Sequence, residues 1–91
     1  MKKISEILKE VEALERQLHS KGIHQYTIDL IEKVEERLYE HDMGESGVDD
    51  ATELGSIAYR MDCLLEIVSK DTEDYLIYQQ LQKIIEEGRK P

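Results

Sequence analysis

Apolar residues recur at intervals of three and four along nearly the whole chain, and that rhythm admits helices and little else. Ile4, Ile7, Val11, Leu14 and Leu18 fall in one stripe, with Leu8 beside it, because this spacing follows the helical turn rather than the two-residue alternation of a strand. Helix one is therefore predicted over residues 3–21. Gly22 can take a left-handed conformation after its last turn, and Ile23 then falls where it packs back on Leu18. The pattern resumes at Ile28, Leu30, Ile31, Val34 and Leu38, which predicts helix two over residues 25–42. After a loop with two glycines, Leu54, Ile57, Met61, Leu64 and Val68 predict helix three over residues 51–69, with Asp50 and Glu53 making a capping-box-like start.

Phase decides whether helix three runs on to the end of the chain. At about 100° per residue, Ile77 lies about 180° and Leu81 about 220° around from Val68, so one straight helix cannot bury both sets. A break is expected near Ser69 to Thr72, with Asp71 or Thr72 capping a fourth helix over residues 72–87 that carries Ile77, Leu81, Ile84 and Ile85. Gly88 and Pro91 read as its end. Tyr75 and Tyr78 are expected to fill the core with their hydroxyls at the surface.

Four amphipathic helices with short connections imply an all-α fold, a small antiparallel four-helix bundle. A long helical hairpin completed by dimerisation, with a second copy of the chain as partner, is the alternative. At 91 residues there is room for one domain. The 40% hydrophobic content suffices for a modest core even though 36% of residues are charged and Phe and Trp are absent.

Charge narrows the functional classes. The net charge of -9 opposes electrostatic binding to nucleic acid or an anionic membrane and favours a protein partner with a basic surface. The excess is concentrated: residues 29–53 carry ten acidic residues against Lys33 and Arg37, a net of -8. Glu12 with Arg16, Glu66 with Lys70 and Glu86 with Lys90 read as ordinary pairs one turn apart. On helix two, by contrast, Glu32, Glu36 and Glu40 repel along one ridge, and Glu40 and Asp42 sit at the end of the helix that prefers cations. Glu32, Glu35, Glu36, Glu40 and Asp42 are therefore candidates for docking a basic partner. Regularly spaced acids also suggest an imitation of DNA phosphates.

Residues 42–53 run Asp-Met-Gly-Glu-Ser-Gly-Val-Asp-Asp-Ala-Thr-Glu. This twelve-residue stretch partly resembles an EF-hand calcium loop. Asp42, Ser46, Asp50 and Glu53 match liganding positions and Gly47 matches the turn glycine, while Gly44 and Asp49 depart from the pattern. Calcium is thus the one cofactor to consider. A simpler reading has the glycines shaping a turn and Asp49 and Asp50 capping helix three. His19, His24 and His41 lie on separate segments without metal-ligand spacing.

Helix three carries a second face, with Gly55, Ser56, Tyr59, Cys63 and Ile67 roughly opposite Met61 and Leu64. Either it packs a second neighbour or it is a contact surface, so Tyr59, Cys63 and Ile67 join the candidate partner-binding residues. No nucleophile motif, phosphate-binding loop or metal quartet is present, and the expectation is a binding module of inhibitor, adaptor or immunity type rather than an enzyme. Ser5, Glu6, Lys9, Glu10 and Glu12 interrupt any apolar leader, and Cys63 alone forms no internal disulfide, so the expected location is the cytoplasm.

Overall fold

The computed structural model describes residues 1–18 and 22–91. It comprises four helices, α1 (Ile4–Leu18), α2 (Gln25–Asp42), α3 (Asp50–Ile67) and α4 (Glu73–Arg89), arranged as an antiparallel bundle. Residues 19–21, where helix one was expected to end and where His19 lies, are outside the described residues. The pairs α1/α2 and α3/α4 pack most closely, α1 also packs on α4, and α2 meets α3 least. Cross-bundle contacts fix the directions. The backbone N-H of Lys2 donates to the Gly88 carbonyl at 3.0 Å, joining the start of α1 to the end of α4. Arg37 near the end of α2 reaches Glu53 and Ser56 near the start of α3.

The core is the set of stripes read from the sequence, with Ile7, Val11, Ile31, Leu38, Leu54, Met61, Leu81 and Ile85 fully enclosed. Each such side chain contributes about 1.5–3 kcal/mol by leaving water. Ile23, Leu64, Leu65, Val68 and Ile84 pack around the margin of the same cluster. The core is complete within one chain, so the hairpin alternative is not needed to close it.

Several boundaries differ from the sequence reading, each for a local reason. The cap of α3 is Asp49 rather than Asp50: its side chain accepts from the Thr52 N-H at 2.7 Å, and these bonds hold its carboxyl below the usual range. Asp50 is instead the first helical residue. α3 stops at Ile67 because Val68 turns extended, while its N-H still closes on the Leu64 carbonyl. Thr72 caps α4 through the Tyr75 N-H at 3.2 Å, which places the break where phase required it. Gly88 does not end α4. It lies inside the helix, buried, where α1 crosses closest. At the chain end, Glu86 pairs with Arg89 and Glu87 with Lys90, so the expected Glu86 to Lys90 pairing is replaced by two shorter-spaced ones.

A buried polar hub links the starts of α2 and α4. Asp74 is 2% exposed in the first turn of α4 and accepts from three groups. Its oxygens meet His24 Nδ1 at 2.5 Å, the His24 backbone N-H at 3.4 Å and the Thr27 hydroxyl at 2.7 Å. The Tyr78 hydroxyl lies 3.0 Å from the Thr27 oxygen. Since Thr27 has one hydroxyl proton and gives it to Asp74, Tyr78 must donate to Thr27. Burial pushes the Asp74 carboxyl up, but the bonds from His24 and Thr27 outweigh it and hold the group below its ordinary value. Burial raises the Tyr78 hydroxyl. This overturns the expectation that the Tyr78 hydroxyl reaches the surface. The ring is enclosed because its phenol has a partner inside.

Candidate functional site

The acidic residues of α2 do not form a simple outer ridge. Glu32, Glu35 and Glu36 line an open groove of about 350 Å³ between α1 and α2, together with Glu12, Glu15 and Leu8 from α1 and with Tyr39. The spacing of the two apolar stripes explains the meeting. Glu12 and Glu15 flank Val11 and Leu14, and Glu35 follows Val34, so each stands beside a core position on its own helix. When the stripes face one another, flanking side chains from both helices converge at the same edge. The lining contains five carboxylates and no Lys, Arg or His.

Electrostatics inside the groove follow from that crowding. Burial, and then the Glu15, Glu12 and Glu32 carboxylates, push the Glu35 carboxyl up to about 7. Cations of α2 face away from it. Lys33 and Arg37 lie toward α3, where they share a crevice with Arg60, and Arg37 Nε donates to Glu53 at 3.1 Å. One helix thus presents an acidic side to α1 and a basic side to α3.

Not every candidate on helix two belongs to the groove. Glu40 is exposed and outside its lining, and Asp42 sits at the opposite corner of the bundle end. There Asp42 lines a recess with Lys3, Ile4 and Ser5 at the start of α1 and with His41 and Asp50. The antiparallel arrangement sets Asp42 against the positive end of α1, which offsets its unfavourable place at the end of its own helix.

The four candidate calcium ligands are dispersed among other partners. Asp50 contacts His41 Nε2 at 2.6 Å, and Glu53 is held by Arg37. The Ser46 hydroxyl oxygen accepts from the Val48 N-H at 3.3 Å. Asp42 lines the recess at α1. Among the described residues, no three His, Cys, Asp or Glu side chains come together in a metal-holding group. Gly44 adopts φ of 80°, the left-handed turn that ends α2.

The second face of α3 is open. Tyr59 is 71% and Ile67 78% exposed, and Cys63 between them is exposed as well. No second neighbour covers this face, because only the side bearing Leu54, Ile57, Ala58 and Met61 turns to the core. The Tyr59 hydroxyl is within hydrogen-bonding reach of Cys63, and this contact raises its pKa.

Of the site residues, sequence reasoning missed Glu12 and Glu15. Glu12 has an obvious cation one turn on, Arg16, which hid it. The usable signal was the flanking position of Glu15 and Glu35 on stripes that had to face each other. No protein-family model, curated protein or solved structure matches the chain. Among the described residues, no helix is long and apolar enough to cross a membrane.

Proposed function

We propose that this chain is a small protein-binding module, a cytoplasmic inhibitor, adaptor or immunity-type regulator, whose groove between α1 and α2 docks a basic segment of another protein. The observation that carries this reading is the groove lining: carboxylates from two helices, no cation among them, and Leu8 and Tyr39 supplying apolar contact. Unneutralised like charge is a stability cost that a complementary partner would relieve. Arginine or lysine side chains on one face of a partner helix suit such a trough, with their apolar stems on Leu8 and Tyr39 and their charges among the acids.

The test is titration of the full chain with a lysine- and arginine-rich amphipathic helical peptide at low and high salt. Expected is an affinity that falls with ionic strength and drops by at least about tenfold in a Glu32→Lys plus Glu36→Lys variant. Unchanged affinity in that variant, or indifference to salt, refutes docking at the groove.

A second reading has one favouring observation, the exposed Tyr59, Cys63 and Ile67 stripe. Exposed apolar groups at successive turns suit self-association or a second contact on the same partner.

A further inference from the structure

We propose that Glu15 and Glu35 form a proton-sharing clasp between α1 and α2, which holds the two helices together when one carboxyl is protonated and loosens when both are ionised. The clasp lies within the groove assigned above to docking, but it acts inside the chain and operates with or without a partner.

The geometry requires a shared proton. The two carboxyl groups come from facing helices and lie within hydrogen-bonding reach of each other. Ionised carboxylates are acceptors only, so a bond between two of them exists only while one keeps its proton. In that state the Glu35 O-H donates to the Glu15 carboxylate. When the proton leaves to solvent, the bond is lost and two half-buried negative charges face each other.

The surroundings sharpen the response. Glu12 on α1 and Glu32 and Glu36 on α2 line the same groove, so every titratable neighbour there repels the second charge except the Tyr39 phenol, which is outside the shared bond. α3 and α4 contribute no side chain to the lining. No lysine or arginine neutralises the pair from within the groove, as happens to Glu53 beneath Arg37. Burial followed by the three named glutamates brings the Glu35 carboxyl up to about 7, so the clasp operates close to neutral pH.

The sign of the linkage is fixed. A carboxyl whose folded value lies above its unfolded one stabilises the fold fully below the unfolded value, about 4.3 for glutamate. That stability is then lost as pH rises through about 7. Carboxyls held low, such as Asp74 and Asp49, act in the opposite sense and at lower pH.

The experiment has two arms. In the first, urea unfolding of the wild type and of Glu35→Gln is followed from pH 4.5 to 8. Glutamine keeps an N-H donor for Glu15 at every pH. The wild-type unfolding constant is expected to rise about tenfold more than that of Glu35→Gln across this range, a figure reduced for the solvent exposure of the pair. Glu36→Gln, which leaves the clasp intact, keeps the wild-type profile. In the second arm, the side-chain carboxyl carbons of the wild type are titrated by NMR, and Glu35 is expected to titrate well above the other glutamates. Identical pH profiles for wild type and Glu35→Gln overturn the proposal. So does a Glu35 midpoint among those of ordinary glutamates, and this second arm stands even if the variant folds poorly. Neither arm contains a ligand, so failure here leaves the docking reading to its own test.

Discussion

Replacing Gly88 by alanine separates a helix-packing glycine from a helix-ending one. Within α4 the substitution should gain about 1 kcal/mol, because alanine favours the helix over glycine by that amount. The structure opposes that gain. A Cβ at residue 88 would lie 2.5 Å from Ile7 Cδ1 and 2.8 Å from Ile7 Cγ1, well inside contact distance. Ile7 is fully buried, so its side chain has no open space to swing into. The helices are also pinned at this point by the Lys2 N-H on the Gly88 carbonyl, which resists a sliding adjustment. Overpacking of this kind costs about 1–3 kcal/mol, and the net effect should be a loss of about 1 kcal/mol. Ile7→Val removes the nearest atom at its own cost of about 0.5–1.5 kcal/mol. Gly88→Ala should therefore be less harmful in the Ile7→Val background, with a coupling of about 1 kcal/mol. Urea midpoints at an unchanged slope measure all four proteins. A stabilised Gly88→Ala, or additivity within about 0.3 kcal/mol, would refute the claim that α1 and α4 touch through this residue.

Two further outcomes follow from named contacts. Thr27→Val keeps the shape but leaves Asp74 short of one donor and the Tyr78 hydroxyl without an acceptor; a loss of about 2–3 kcal/mol is expected by urea unfolding, with Thr27→Ser much milder. A Thr27→Val protein within about 0.5 kcal/mol of wild type would show that the hub contributes nothing. Cys63 should react with a thiol reagent in the folded protein within about tenfold of its rate in denaturant, since its face of α3 is uncovered; strong protection in the native state would mean that another chain covers it.

The fold was legible because it rests on periodicity. Four stripes and one phase jump between Val68 and Ile77 gave the helix number, and the stripes became the core. Features that depend on which residues meet across helices were not legible. Gly88 looked like a terminator because a glycine near the chain end ordinarily is one; only the approach of Ile7 gives it a packing role. Thr27 and Asp74 are polar residues next to helix starts, where a surface capping role is the default, and their burial arises from 47 residues of sequence separation. The docking candidates divide the same way. Glu32, Glu35 and Glu36 were visible as excess charge, but Glu12 and Glu15 needed the register of α1 on α2. Glu40 and Asp42, chosen for the same charge, fall outside the groove once the helix has a direction.

The distribution of charge on α2 bears on why the groove exists at all. Toward α3, where apolar contact is thinnest, the chain places Arg37 on Glu53 and Ser56, so polar bonds supplement weak packing. Toward α1, where packing is extensive, it places acid against acid. A lysine at either Glu15 or Glu35 would convert that repulsion into an ion pair across the interface at no loss of apolar contact, and a gain of a few tenths of a kcal/mol is typical for such exposed pairs. Stability alone therefore does not account for the five carboxylates. The α1/α2 interface is the one place where Ile7, Val11, Ile31 and Leu38 bury enough surface to tolerate like charge along its edge. A local departure from favourable pairing, carried by the best-packed interface of the bundle, is the pattern expected where a surface serves binding rather than folding.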